Sequence, residues 1–430
     1  MNDGTLAGQE AGSLVRILTC DLGGLCRVRA VPSSQRGAAL VSGRGWVPAS
    51  LGISPLGYIV EGEPFGTMGE LRLVPDPEAG LPIPTMGDQP ASELMLGSLV
   101  DMSGDHWECC PRAVLAGAEA DFERHTGLRV RASFEHEFTL DEQTPSSPLS
   151  HDALIRNEPF GSRLVHVLSA AGLEPETWLP EYGRHQRELT PAPTSPGTAA
   201  DRAVLLREAV RHVAHAHGRR VTFSPMPHPD SVGNGAHVHL SLTDASGRSV
   251  MLEDGHLSGT AVAFAAGILD YAGALTALTA PSPVSYMRLQ AGMWSATHAH
   301  LGEADRGAMI RLCIPFDGGG PKARDQINLE YRPADATATP HIVLAALLRA
   351  ALDGIQRSLT TGIRNTGGPD GPALPCSLST AMAALAADYA AVAWVPRNLY
   401  TTFAAIKSDE IVQSAGTNHE ALIATYSTIY

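Results

Sequence analysis

Four short stretches carry polar side chains two residues apart, and that spacing constrains the fold more than any other feature of the chain. They are Phe134-Glu135-His136-Glu137-Phe138, Gln186-Arg187-Glu188, Ala236-His237-Val238-His239-Leu240-Ser241-Leu242 and Leu329-Glu330-Tyr331-Arg332. In a β-strand, residues i and i+2 share a face. The third stretch shows this best: Ala236, Val238, Leu240 and Leu242 fall on one side, His237, His239 and Ser241 on the other. Side by side in one sheet, the four stretches would gather several carboxylates, two imidazoles and a guanidinium on a single face. So much like charge is repulsive unless cations neutralise it. The pattern predicts a metal-lined active site on a sheet.

A chain of 430 residues with 44% hydrophobic content can bury a large core and form two domains. Its net charge of −14 argues against a nucleic-acid or anionic-membrane partner. The only lysines are Lys322 and Lys407, and neither stands in the Gly-Lys-Ser/Thr of a Walker phosphate loop. Six cysteines without a Cys-x-x-Cys pair suit reduced thiols of a cytoplasmic protein. Met1 to Gly12 is polar and Gly-rich, unlike a signal peptide. Ala261 to Ala280 is apolar but broken by Asp270, and reads as a buried helix rather than a membrane span.

Along the chain, Val15 to Pro32 reads as strand, Gly-Gly turn, strand; Trp46 to Tyr58 as a loop; and Gly69 to Asp76 as a short strand. These define an expected N-terminal β-rich domain, 1–108. The second domain, 109–430, opens at Cys110-Pro111-Arg112, with Pro in the first turn of a helix. Helical periodicity marks Asp201 to His217, Thr260 to Leu278 and His341 to Leu359; Pro191 to Gly197 and Gly367 to Pro375 read as loops. Helices packed on one side of a mainly antiparallel sheet make the expected class α+β.

Glu135 and Glu137 share a face, and Glu181 and Glu188 flank a short Gly-containing turn. A carboxylate-rich donor set with few histidines fits Mg²⁺ or Mn²⁺ better than zinc. Any one of these pairs alone would read as a solvated strand edge or a satisfied core pair. Arg288, Arg306, Arg311 and Arg332 form a second group. Beside divalent metals, arginines neutralise a moving phosphoryl group and grip carboxylates bidentately. Each one in isolation would read as an ordinary surface arginine.

Several ordered motifs carry a family resemblance. They are Gly69-Glu70-Leu71-Arg72-Leu73-Val74-Pro75-Asp76-Pro77, Cys110-Pro111-Arg112, Phe134 to Phe138, Glu181 to Glu188, Gly233 to Leu242, Ser285-Tyr286-Met287-Arg288-Leu289 and Glu330-Tyr331-Arg332-Pro333-Ala334-Asp335. With them the chain resembles glutamine synthetase and its γ-glutamyl-amine ligase relatives over nearly its full length. The resemblance implies a small β-grasp-like N-terminal domain and a larger catalytic domain, an antiparallel half-barrel sheet covered by helices.

It also implies a site. Glu137, Glu181 and Glu188 would hold one metal ion, and Glu135, His237 and Glu330 another. Arg288 and Arg332, with the Gly233 backbone, would hold glutamate. Arg306 and Arg311 would face the transferred phosphate; Glu176, His239 and Ser241, with Arg311, would lie by ATP. Arg306, Glu330 and Arg332 would be the catalytic groups. Glutamate would take the terminal phosphoryl group of ATP, and an amine would then displace phosphate from the acyl phosphate. The implied assembly is a ring-shaped homo-oligomer such as a dodecamer, each site shared with a neighbour's small domain.

Departures from the family concern the amine. Glutamine synthetases carry an Asp in the N-terminal loop and a Glu on a flap, both facing ammonium. Here no acidic residue lies between Asp21 and Glu61, and Trp294 occupies the flap position. Without those carboxylates nothing offsets the desolvation of ammonium. Trp294 offers an organic amine an apolar or cation–π wall, or else packs at a subunit contact. Asn328, Thr339 and the placing of the 321–324 stretch also depart from the pattern around the nucleotide. The expected function is ligation of glutamate to an organic amine. Glutamine synthesis from ammonium and a catalytically silent structural or regulatory relative are the alternatives. A metallohydrolase would leave the arginines idle. A polyamine is disfavoured, because its second charge lacks a carboxylate.

Overall fold

The computed structural model describes residues 13–142, 146–316, 323–364 and 371–430. The readings placed on 1–12, 321–322 and 367–370 lie outside these, as do the side chains of 323–324. The N-terminal strands are β1 (Leu14–Cys20), β2 (Cys26–Pro32), β3 (Arg44–Trp46), β4 (Leu71–Ile83) and β5 (Ser92–Val100). They form one sheet in the order β2-β1-β5-β4-β3, with β1 and β5 parallel. The β1–β2 turn forms where the Gly-Gly pair stands. Asp21 Oδ1 accepts from the Gly23 and Leu25 amides, and Gly24 (φ 75°) presses on the Thr337 carbonyl where no Cβ fits. β4 outruns the short strand read at Gly69 to Asp76, with its pairing interrupted between Pro75 and Gly80. Pro75 and Pro77 lack the amide a ladder needs, and the interruption accommodates them.

The second sheet contains β6 (Arg129–Leu140), β7 (Pro175–Pro180), β8 (Gln186–Pro191), β9 (Val221–Thr222) and β10 (Ala236–Thr243). After a small ribbon of β11 (Leu252–Glu253) and β12 (His256–Leu257) come β13 (His298–Glu303), β14 (Ala308–Cys313), β15 (Asn328–Tyr331) and β16 (Ile363–Arg364). The order is β16-β13-β14-β15-β10-β6-β8-β7, with β9 beside β6. Pairing is antiparallel from β14 to β7, as expected, but β13 runs parallel to β14 and β16.

One face of this sheet is apolar. Phe134, Val238, Leu240, Leu329, Tyr331 and Ile310 are buried in one cluster with Ala199, Ala203, Ala265, Val343 and Leu347 of the covering helices. Three of those helices, Pro111–Thr126, Pro196–Ala216 and Pro340–Gln356, begin with proline, whose fixed φ and missing amide suit a first turn. Pro196 starts its helix five residues before the periodicity suggested, inside the stretch read as loop. The single helix expected from Thr260 to Leu278 is two, Gly259–Asp270 and Ala272–Thr279, bent by 75°. Among the described residues no single helix is long and apolar enough to cross a membrane.

Candidate active site

The register of the second sheet brings the four polar stretches together on its other face. Glu137 pairs with Glu188, Glu135 with His237, His239 with Glu330, and Glu330 with Arg311. Directly opposed residues of an antiparallel pair interact through their side chains. A row of ionisable groups therefore crosses five neighbouring strands.

Glu135, His237 and Glu330 form its densest part. His237 Nδ1 lies 2.7 Å from Glu135 Oε1 and 3.5 Å from Glu330 Oε1. One donor atom from each of the three can be chosen so that all lie within 4.8 Å of one another. His237 and Glu330 are buried, and Glu135 is half-buried. Burial pushes Glu135 up, but hydrogen bonds and charge from His237 and His239 outweigh it and hold the carboxyl well below the usual range. Glu330 is likewise raised by burial and drawn lower overall by His237, Arg332 and His239.

Glu137, Glu181 and Glu188 lie beside this triad. Glu137 accepts from the Gly235 amide at 2.5 Å and from Gln186 Nε2 at 3.3 Å. Glu181 accepts from the Tyr182 amide at 2.8 Å and shares a hydrogen bond with Glu188. Burial first, then the charges of Glu135, Glu137 and Glu181, push Glu188 up to about 10. Burial also raises Glu181. Four carboxyls so close cannot all ionise in the bare protein, and a divalent cation would remove that conflict. Among the described residues only Glu135, His237 and Glu330 bring one ligand atom each within 4.8 Å of the others; Glu137, Glu181 and Glu188, expected to hold a second ion, do not close to that distance. The carboxylate-rich surroundings fit Mg²⁺ or Mn²⁺.

Two cavities meet at Glu135 and Glu188. One, of about 490 Å³, is lined by Glu176, His239, Ser241, Cys313 and Asn328. His239 Nδ1 lies 2.9 Å from Asn328 Oδ1 there. The other, of about 380 Å³, is lined by Gly233, Arg288, Trp294, Arg306 and Arg332 with the remaining carboxylates. Glu176, His239 and Ser241, read as nucleotide-side, thus line one cavity and Gly233, Arg288, Arg306 and Arg332, read as facing glutamate and phosphate, the other, whereas Arg311 lines neither.

Arg332 organises the second cavity. It is ion-paired with Glu330, donates from Nε to the Arg306 carbonyl at 2.9 Å and from Nη2 to the Trp294 carbonyl at 3.1 Å. Arg288 is buried, donating to the carbonyls of Pro333 and Arg332 at 3.0 and 2.9 Å. Gly233 packs on it so closely that a Cβ would meet the Pro225 carbonyl and stand 3.0 Å from Arg288 Cβ. Arg306 and Arg311, read as a pair facing the phosphate, are placed differently. Arg306 is exposed on the turn before β14, whereas Arg311 on β14 donates to Glu330 Oε2 at 2.5 Å.

Other side chains belong to the site without having been singled out for a role. Gln186 Nε2 ties the Gly233 carbonyl and Asn234 Oδ1 to β8 at 2.9 and 3.0 Å. The Cys313 thiol lies 3.6 Å from Glu330 Oε2. Tyr182 and Leu149 line the arginine-bearing cavity. Adjacency to Glu181 could have drawn attention to Tyr182; nothing around Leu149 could have done so.

A carboxylate-walled groove, open to one cavity beside His239 and Ser241 and to another lined with arginines, belongs to an ATP-dependent carbon–nitrogen ligase. Residues 5–107 match the glutamine synthetase N-terminal domain, and residues 108–426 the glutamine synthetase catalytic domain. The chain is 31% identical to gamma-glutamylpolyamine synthetase GlnA3 of Streptomyces coelicolor, covering 96% of this chain and 88% of that one. It is 33% identical to a glutamine synthetase of Halobacterium salinarum, covering 68% and 66%. Among solved structures it resembles a novel glutamine synthase homolog with a TM-score of 0.91 and 40% identity, over 97% of this chain and 99% of that one. The chain belongs to the glutamine synthetase family.

Proposed function

We propose that this ligase joins the γ-carboxylate of glutamate to an organic amine, using ATP. The observation that carries the reading is the meeting of two cavities at one acidic cluster, with Arg288, Arg306 and Arg332 confined to one of them. In this reading Glu137, Glu181 and Glu188 hold one divalent cation, Mg²⁺ or Mn²⁺, and Glu135, His237 and Glu330 a second. Bound there, the cations supply charge neutralisation for phosphoryl transfer. ATP lies beside Glu176, His239 and Ser241, and Arg311 approaches its phosphates from Glu330. Arg288, Arg332 and the Gly233 backbone orient glutamate, and Arg306 stands over the transferred group.

The γ-carboxylate oxygen attacks the terminal phosphorus, ADP departs and an acyl phosphate forms. The amine nitrogen then attacks the carbonyl, phosphate leaves and the nitrogen loses a proton. Arg332 acts at both stages: it steadies Glu330 and orients the backbone around Arg306. Water must be kept out while the acyl phosphate persists.

An organic amine is preferred over ammonium because the acids lining the glutamate-side cavity are the same four that crowd the cation sites. Among the described residues no other acid lines that cavity to offset the desolvation of ammonium. A relative named for polyamine ligation supports an amine other than ammonium. A silent relative is disfavoured, since all six candidate ligand positions hold Glu or His. We further propose that 1–108 and 109–430 act as separate units in a ring-shaped homo-oligomer with shared sites, working in the cytoplasm.

The test is ADP release and product mass with ATP, glutamate and Mg²⁺ across ammonium and a panel of organic amines. The expected product is a γ-glutamyl amide. Ammonium matching every organic amine would make the protein a glutamine synthetase, and absence of glutamate-dependent ADP release would mark a silent relative.

A further inference from the structure

The glutamate-side cavity changes character at its mouth. Its floor is carboxylate and the buried guanidinium groups of Arg288 and Arg332, whereas exposed Leu149, Tyr182 and Trp294 stand at its rim beside Arg306, with Val232 and Met293 half-buried below them. Leu149, Tyr182 and Trp294 are 62%, 54% and 59% exposed, so three large apolar side chains stand in solvent around one opening. Contiguous exposed apolar surface of this kind marks a binding site more often than an accident of folding. The Tyr182 and Trp294 rings face each other obliquely, with centroids 5.8 Å apart and planes inclined by 36°.

The backbone beneath the rim is also unusual. Leu149 (φ 55°) and Trp294 (φ 54°) both adopt the left-handed conformation, which bulky residues avoid. Such strain persists where surrounding structure imposes it. At Trp294 the imposition is visible, because its carbonyl accepts from Arg332 Nη2. The arginine that holds Glu330 therefore also restrains the backbone from which the indole projects.

We propose that this rim is the amine subsite and that it selects a primary monoamine bearing an apolar substituent, aryl or branched alkyl, over ammonium and over polyamines. The inference rests on the glutamate–amine ligase reading. An amine whose nitrogen reaches the glutamyl carbonyl carries its substituent outward, across the paired Trp294 and Tyr182 rings and toward Leu149. Apolar substituents gain there by leaving water. A polyamine would set its distal ammonium against the same surface. The four acids of that cavity are taken by the proposed cation sites, and a cation–π contact at so exposed a ring pair is weak.

The experiment compares kcat/KM for benzylamine, isoamylamine, ammonium, spermidine and hydroxylamine in the full chain. Hydroxylamine traps an acyl phosphate without a substituent to place, so glutamate- and ATP-dependent hydroxamate formation tests the underlying reading by itself. Its absence overturns that reading and the subsite with it. With hydroxamate formed, benzylamine or isoamylamine should exceed ammonium and spermidine by about tenfold or more. Trp294→Ala and Tyr182→Ala should each lower the benzylamine-to-hydroxylamine ratio by about tenfold, and Trp294→Phe should recover most of it. Spermidine or ammonium as the better substrate overturns the subsite, and so does a ratio unmoved by both alanine variants. A Trp294→Ala protein whose sedimentation changes while its ratio does not would assign the rim to contacts between copies, which also overturns it.

Discussion

At Glu188 burial and the charges of Glu135, Glu137 and Glu181 raise the carboxyl from 4.5 to about 10. The unfolded chain releases this proton near the ordinary Glu value, while the folded, metal-free protein keeps it far longer. Between those limits the folded state binds more protons, so stability falls as pH rises. In chelator, Tm should therefore decline between about pH 5 and pH 9, and Glu188→Gln should flatten the decline. Saturating Mg²⁺ should flatten it too, because bound cations remove the penalty on ionisation. A calorimetric pH series on both proteins, with and without Mg²⁺, checks this. An equal slope in the variant would show that the acidic cluster is not what couples to pH. These residues were legible at this scale because Glu135 and Glu137, or His237 and His239, share a face through strand geometry alone. Arg306 and Arg311 were legible as residues but their separate placing was not, since a turn separates the one from the strand that aims the other.

At the scale of elements, the helix Gly259–Asp270 crosses the helix Pro340–Gln356 at a pair of glycines. A Cβ on Gly267 would meet the Ala350 carbonyl and stand 2.8 Å from the Gly354 Cα. Gly267→Ala should destabilise the protein by about 1–3 kcal/mol through overpacking, read as a lower urea midpoint at unchanged slope. A midpoint within error of the parent would show that the helices can slide apart freely. This crossing and the 75° bend near it lay beyond periodicity. The crossing depends on a contact between Gly267 and Gly354, residues of segments nearly ninety positions apart. The edge of the large sheet escaped the same way. An alternating pattern shows that a strand exists and which side is apolar, but not whether β13 runs parallel to its neighbours.

For the whole molecule, the question is how the N-terminal sheet is fastened to the catalytic one. The Thr339 hydroxyl donates to the Asp21 carbonyl, and Tyr430 Oη donates to the Gly23 carbonyl at 2.6 Å. Arg112 bridges the units, donating to Asp76 Oδ2 at 2.8 Å and Asp201 Oδ2 at 2.7 Å. His341 Nε2 lies 2.8 Å from the same Asp201. Arg112→Ala leaves Asp201 buried without its guanidinium, which should lower stability by about 3–5 kcal/mol. Thermal scans should show the loss, and a change below about 1 kcal/mol would mean that the bridge contributes no more than a surface pair. Cys110-Pro111-Arg112 was legible as a helix entry, but its partners Asp76 and Asp201 were not, since they come from separate elements.

The amino-acid order alone determined which side chains face together along each strand, where proline admits or stops a helix, and that Glu and His side chains gather on one strand face. Those properties follow from local geometry and composition. Tertiary structure decided the pairing of Glu135 with His237 and of Glu330 with Arg311, the separation of the two cavities and the apolar rim at Leu149, Tyr182 and Trp294. Each needs residues far apart in the chain to meet. Only packing of the assembled sheet, not spacing along the backbone, selects those meetings.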